Sequence, residues 1–590
     1  MTGHRYRIHW EAGLDFDSMR MEVSEIWDTA DKDVRLVFNH TEQREAINIT
    51  TKYGSGVQIE NNTLSTLTSF SSGDYQMRNA TEIREFEILI NGKDTERSKL
   101  DIKPLECILG ACKLDTIEES DLPTSSKPWS DAASWKDGVV PVEGQDVTID
   151  TDMWIELDLA ETPRLGKLEI NGRLSIKDDK TNLPKVNLKA HLIWIRAGEL
   201  LAGSSTAPYE ADLTIEMLGH TESETLTLGG TVKAGNKVLA SCNRVELYGK
   251  KRFRMTRMLA ETDAGADTIT VDATDSTFDW AVGDYLFIAT STINVTHSEY
   301  RTITAIDGGS ITLDNPLAYY HYGAAESTAT KYNGVDIRNE VLLLSRNVKV
   351  KGEEQDAWPG HIMATDLIDG EKIREGYIIA DNVEFSNLSQ KDVGKGGIRW
   401  EGAVGSSSTV STLTNSAFYS GQDWGLSIKS SNNVEVKDNV FVGWRAIGVR
   451  IDFTRNVTFS GNFVGDVRHR GIAFTGMTID KEACVTVGGY EESNNNHGFV
   501  GQNNIAAGCQ YAGFVLPAYE ECGGTNNVSG NVAHSSSRYG LYAYKNPVST
   551  SGDTCVEWSH FAAYKTQEAC AVSVVKTALQ KAHHITCIDV

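Results

Sequence analysis

The stretch 415–476 repeats itself at a shift of 23 residues, and that period limits the fold more than any other feature of the chain. Gly425, Gly448 and Gly471 fall in register. So do Asn433-Val-Glu-Val with Asn456-Val-Thr-Phe, and Asn439-Val-Phe with Asn462-Phe-Val. A fixed period of about 20–25 residues, built from short β-branched and aromatic runs, is the signature of a solenoid. The runs are too short for helices and are broken by Asn and Gly, so each period reads as one coil of a parallel β-helix. A single coil cannot bury its own apolar side; coils stacked about 4.8 Å apart can. Val434 over Val457 and Phe441 over Val464 are the expected inward ladders. The Asn positions are expected at corners, where Asn tolerates left-handed backbone angles and bonds along the stack. An antiparallel sandwich gives no reason for several motifs to recur together at one spacing.

The chain has 590 residues, 40% of them hydrophobic and 23% charged, which is enough for a large folded core. Its net charge of −25 argues against nucleic acid or anionic membrane as a main partner. No apolar run is long enough to span a membrane. The start, Met1-Thr-Gly-His-Arg-Tyr-Arg, lacks the apolar core of a signal peptide, so the chain reads as cytosolic or as a piece of a larger protein. Two features favour the larger, extracellular protein. Sequons stand at Asn39, Asn48, Asn61, Asn79, Asn294, Asn387, Asn456 and Asn527. Six of the nine cysteines lie in the last fifth of the chain, and no pair has Cys-x-x-Cys spacing. Disulfides are the preferred reading over buried free thiols. The odd count leaves one thiol over, and Cys242, alone in its region, is the expected one.

Residues 1–120 hold alternating runs such as Arg5-Tyr-Arg-Ile-His-Trp, Val34-Arg-Leu-Val-Phe and Phe86-Glu-Ile-Leu-Ile, with Asn91-Gly92 as a hairpin signal. They predict a small β-sandwich-like domain that closes with Cys107 and Cys112, a candidate local bridge. From 125 to 255, many short strands are punctuated by glycine, as in Leu168-Glu-Ile-Asn-Gly172 and Leu192-Ile-Trp-Ile-Arg-Ala-Gly198. A β-rich connecting segment fills 256–340, and the parallel β-helix is expected over 341–590. The fold class is therefore all-β.

The glycine-punctuated region, opened by Trp129, Trp135, Gly138, Pro141, Gly144 and Asp146, resembles the extracellular domain named for its eight glycines. That domain occurs in the fibrocystin and fibrocystin-L family and, more distantly, in hyaluronan-depolymerising proteins. Asp279-Trp-Ala-Val-Gly-Asp284, Thr290 and Glu299 look like the segment that follows it there. Val335-Asp-Ile-Arg-Asn-Glu-Val looks like those families' transition into a right-handed β-helix. Gly501-Gln-Asn-Asn, Ser529-Gly-Asn-Val, Tyr539-Gly-Leu-Tyr and Phe561-Ala-Ala-Tyr resemble fibrocystin's own coils. The resemblance implies an extracellular or cell-surface setting, the ciliary surface included. It also places Cys522 and Cys555 where fibrocystin has cysteines flanking a coil, and stacking brings residues 25–35 apart within bridging distance.

The most site-like motif is Trp358-Pro-Gly-His361-Ile-Met-Ala-Thr-Asp366. Related families carry Gly-Gly-His at this position, and His361 with Asp366 is a candidate acid–base or metal pair; the alternative is a corner histidine satisfied by backbone. The depolymerising relatives also carry paired histidines in the next coils. Here the corresponding stretch is Gly396-Gly-Ile-Arg-Trp-Glu-Gly402, where Arg399 and Glu401 do not replace them. Arg445 stacks near Arg468 with Gln422 below. Either Asp466 neutralises Arg468, or this face contacts an anion or acidic glycan. Asp423 and His469 share a register two coils apart, and Lys429 stacks over Asp452. Asp263, Asp267, Asp272 and Asp275 read as a solvated face, and His583-His584 has no ligand spacing. No cofactor motif is present, and calcium is the one ion to consider. These residues imply a non-enzymatic scaffold whose partners are other extracellular proteins, copies of itself or acidic glycans. The alternative is a glycan-active enzyme of the hyaluronidase type.

Overall fold

The computed structural model describes 123–590 apart from 230–231, 355–357, 370–371, 391–394, 404–409, 430, 453, 469–482, 488–498, 518–526, 545–554, 575–578 and 590. Before 123 it describes the backbone of strands alone. Cys107, Cys112, His469, Cys522, Asn61 and Asn79 lie outside the described residues, as do the side chains of Asn39, Asn48 and Cys555.

Each coil contributes one strand to each of three parallel faces. In one coil these are Asn432–Lys437, Val440–Trp444 and Val449–Asp452. The next coil adds Arg455–Ser460, Phe463–Val467 and Val485–Val487 above them. Val434 pairs with Val457 and Phe441 with Val464, the two inward ladders expected from the period. Phe385, Phe418 and Phe441 continue the second ladder, with centroids 4.6 and 4.4 Å apart. Residues that alternate inward along each strand fill one continuous core from Trp129 to Cys570.

The corner between the first and second faces explains the spacing of Asn. Asn382, Asn415, Asp438, Asn503, His560 and His584 all take φ between 49° and 56°, the left-handed value that turns the chain onto the next face. The following residue starts a buried ladder. Asn439, Asn462, Asn504 and Asn531 are each at most 3% exposed. The Oδ1 of Asn462 accepts from the backbone N–H of Asn439 (3.0 Å) and from its Nδ2 (3.1 Å), while its own Nδ2 donates to Val436 O (2.9 Å). His560 and His584 stack on one another at 4.5 Å in this column, so they are corner residues.

The corner after the second face is a column of tight backbone contacts. A Cβ on Gly425 would lie 2.4 Å from Gly448 O, and one on Gly448 would lie 2.5 Å from Cys484 O. The position above Gly448 therefore belongs to Cys484, not to Gly471. The period of 23 does not hold here: Gly448 N–H donates to Ala483 O and Val449 pairs with Val485. Cys484 bridges Cys509, and Cys570, stacked on Gly540 in the same column, bridges Cys587. Cys242 is a buried free thiol, as its isolation predicted.

The glycine-rich region is part of the same stack. Lys127–Pro128, Trp154–Leu157, Arg173–Ile176, Glu199–Ala202 and Arg244–Tyr248 lead without a break into Tyr377–Asp381 on the first face. The boundary drawn at 341 thus divides the sequence but not the sheets. Segment 256–340 belongs to an insertion between Arg244–Tyr248 and Val348–Gly352, a six-stranded antiparallel sheet from Met255 to Leu343. It has its own core around Trp280, Leu286, Ile303 and Val341. Its other side, with Phe287, Ala289, Leu342 and Leu344, packs on Ala417, Val440, Val442, Phe463 and Ala507 of the second face. Ahead of the solenoid, the strands between Tyr6 and Pro104 form two four-stranded antiparallel sheets.

Candidate functional site

A hairpin, Leu226–Gly229 with Val232–Gly235, leaves the solenoid after the third turn and folds back over its third face. Leu226, Leu228 and Ala234 bury Leu192, Val238, Ala240 and Met363, outward-facing positions of that sheet. Beneath the hairpin lies His361, the first residue of His361–Ala364, in register with Val238. Its ring is fully buried and neither nitrogen makes a hydrogen bond. The Asn236 carbonyl is close enough to raise its proton affinity, yet burial, Arg399 and Lys395 outweigh that and hold the pKa well below the usual histidine value.

The next coil supplies the cations. Arg399 stacks directly on Met363. Its guanidinium reaches Glu401 Oε2 at 3.0 Å, Ala234 O at 3.1 Å and Met363 Sδ at 3.1 Å, while Nε stays unbonded and buried. Lys395 brings its ammonium against Gly235, where a Cβ would lie 2.1 Å from Nζ and 3.2 Å from His361 Nε2. Gly235 has φ +98°, and the missing Cβ is what lets the ammonium and the imidazole face one another. Burial, then Arg399, lowers Lys395 to about 8, against the pull of Glu401. The floor is rigid. Lys237 Nζ is fully buried and donates to Gly219 O (3.0 Å), Glu353 O (2.5 Å) and Trp358 O (2.7 Å). Asn236 accepts from Trp358 Nε1 (3.0 Å) and Gln390 Nε2 (3.1 Å).

The structure does not bring Asp366 to His361. Asp366 follows the end of the strand and accepts from Gly376 N at 3.1 Å, and it is not among the groups that act on the imidazole. Five residues of extended chain separate the two by about 16 Å. Lys395, Gly235 and Asn236 are the site residues that sequence reasoning missed. Gly235-Asn-Lys at the end of the hairpin was the available signal.

The other candidates lie elsewhere. Arg468 is held by Asp466, which also accepts from Tyr300 Oη at 2.9 Å. Arg445 Nη1 donates to Gln422 Oε1 at 3.4 Å. Asp466 thus neutralises Arg468, as one of the two readings had it. Lys429 is in register with Asp452, whose carboxylate pairs with Arg450 two residues away. Asp272 and Asp275 cap the turns at Thr274 and Thr277. Among the described residues no cluster of His, Cys, Asp and Glu has metal-binding geometry.

Residues 134–260 match the G8 domain, and residues 377–553 match the right-handed beta helix region. This chain carries a G8 domain that runs into a right-handed β-helix. Human fibrocystin-L is 24% identical to it over 71% of this chain and 10% of that protein. Mouse fibrocystin is 24% identical over 82% of this chain and 11% of that protein. The chain thus spans about a tenth of these relatives. The tailspike gp49 of Pseudomonas phage LKA1 overlays on 77% of this chain and 73% of its own, at 10% identity with a TM-score of 0.24, too loosely to bear on function. The His361 niche draws on both parts: Gly235 and Lys237 lie within the G8 domain, Lys395 and Arg399 within the β-helix.

Proposed function

We propose that this chain is an extracellular, non-enzymatic module of a fibrocystin-like cell-surface or surface-coat protein. It acts as a rigid scaffold for adhesion, assembly or partner binding, with other extracellular proteins or copies of itself as partners. The observation that carries this reading is the antiparallel block laid along the second face. It is bonded to the solenoid from Arg254, which donates to Gly461 O at 2.6 Å, to Asn333, which donates to Thr586 Oγ1 at 3.1 Å. A solenoid is held coil to coil, and a splint that touches many coils resists bending. Two disulfides favour an oxidising compartment. We extend that reading to bridges at Cys107–Cys112 and Cys522–Cys555.

A second reading, an acidic-glycan binder or a depolymerase of the hyaluronidase type, is favoured by the cationic niche at His361. Cleavage there needs an imidazole that meets solvent or a carboxylate, and His361 meets neither. The deciding experiment sizes hyaluronan and two other acidic glycans on gels after incubation with the chain, with calcium and then with chelator. Unchanged polymer under every condition is expected. Shortening that disappears in His361→Gln would replace the scaffold with an enzyme.

A further inference from the structure

We propose that the niche between Gly235, His361, Lys395 and Arg399 is a binding site for one carboxylate-sized anion, of the kind carried by an acidic sugar or a free organic acid. The site goes beyond the scaffold reading and stands whether or not the chain cleaves anything.

The first argument is hydrogen bonding. Buried polar groups in folded proteins almost always have partners. Here the His361 ring nitrogens and Arg399 Nε are buried without a hydrogen-bond partner, and the part-exposed Lys395 ammonium lies beside the ring at Gly235. Below them Lys237 donates to three carbonyls and Gln390 Nε2 donates to Asn236 and Pro359, while Gln390 Oε1 is buried without a partner.

The second argument is charge. Lys395 and Arg399 meet a fully buried imidazole, and among the described residues the carboxylate acting on them is Glu401. Glu401 binds the far side of the guanidinium and is half exposed. Both Lys395 and His361 have lowered proton affinity because each is buried beside cations. An anion supplies the missing counter-charge to all three groups at once, whereas a metal ion meets only like charge. A carboxylate matches the donors in size and number, accepting from the ammonium, the guanidinium Nε–H and the imidazole N–H. Lys395 is only partly buried and forms the solvent-facing edge of the niche.

The test uses the whole chain with sodium acetate and sodium glucuronate as probes and glucose as the neutral control, at constant ionic strength. Calorimetry and thermal melting are read together. Both salts are expected to bind and raise the Tm, with glucose inert. Equal binding of the two salts identifies a free organic acid, and glucuronate binding at least tenfold tighter identifies a sugar acid. Lys395→Gln removes the ammonium at the edge of the niche, and it should weaken binding at least tenfold. Glu401→Gln should bind no more weakly than wild type. At pH 8, anion binding should take up protons as Lys395 recovers its charge, seen as a heat that varies with the buffer's ionisation enthalpy. That signature tests the site even if a variant misfolds. Absence of binding by both salts, unchanged binding in Lys395→Gln, or binding without proton uptake at pH 8 would each overturn the proposal.

Discussion

Asn462 shows how much of this fold rests on single side chains. Its amide satisfies two donors and one carbonyl of the coil below, all buried. Asn462→Ala strands these groups, and since an unsatisfied buried polar group costs about 1–3 kcal/mol, the variant should lose about 3 kcal/mol in urea unfolding. His361 gives a second residue-scale prediction. Its folded-state pKa lies below its unfolded value near 6.5, so the unfolded chain takes up the proton first. Stability should therefore fall as the pH drops below about 6.5, by at most about 1.4 kcal/mol per pH unit from this group. His361→Gln should flatten that part of the profile. The depressed carboxylates Glu340 and Asp336 act only below the ordinary carboxylate range, so the two windows separate. The sequons divide by the same kind of reading. Asn294, Asn456 and Asn527 are exposed, Asn456 Nδ2 donating to the Asn433 side chain (3.2 Å), whereas Asn387 is half-buried and its Nδ2 donates to the backbone at Gly352 O (2.9 Å) and Glu353 O (3.1 Å). In secreted protein, peptide mapping should find glycans at the first three sites and an unmodified Asn387.

At the scale of the coil, the glycine column sets a rule and the cysteines exploit it. The turn after the second face leaves little room for a side chain, because the next coil's carbonyl lies under it. Cys484 and Cys570 occupy this column and bond sideways to Cys509 and Cys587, across 25 and 17 residues. Cys484 follows Gly448 in the column, and its bridge closes 25 residues of chain onto Cys509. Closing a loop of that length is worth about 3 kcal/mol. Cys484→Ser with Cys509→Ser should lower stability by about that amount, with no change in far-ultraviolet circular dichroism.

For the whole molecule, the antiparallel block decides how the rod behaves. One of its buried contacts is ionic: Glu340, at 1% exposure, pairs with Arg257 at 2.6 Å and lies 3.3 Å from His534 Nε2, while His534 stacks on Tyr564 at 4.6 Å. Removing one partner of a buried pair leaves the other charge uncompensated, at about 3–5 kcal/mol. Glu340→Ala should therefore loosen the block. Hydrogen exchange should accelerate in the coils carrying Ala507, His534 and Tyr564, while the strands between Trp154 and Tyr248, which the block's ion pairs do not touch, stay protected.

The sequence by itself determined the coil. Each turn must solve the same problem of one apolar side inward and one tight corner, so the same residues recur, and Val434, Phe441, Asn433 and Asn456 could be placed before any coordinates. The glycine-punctuated turns and the lone thiol of Cys242 were legible for the same local reasons. Tertiary structure alone decided the rest. Gly471 keeps the numerical period, yet Cys484 takes the position above Gly448, because period is a property of sequence and register a property of hydrogen bonds. Cysteine pairing followed the column that the coils built, which no spacing encodes. The His361 niche is the clearest case. Its glycine arrives on a hairpin and its two cations on a later coil, and only folding brings them around one imidazole. Their burial, not their identity, makes them a candidate site.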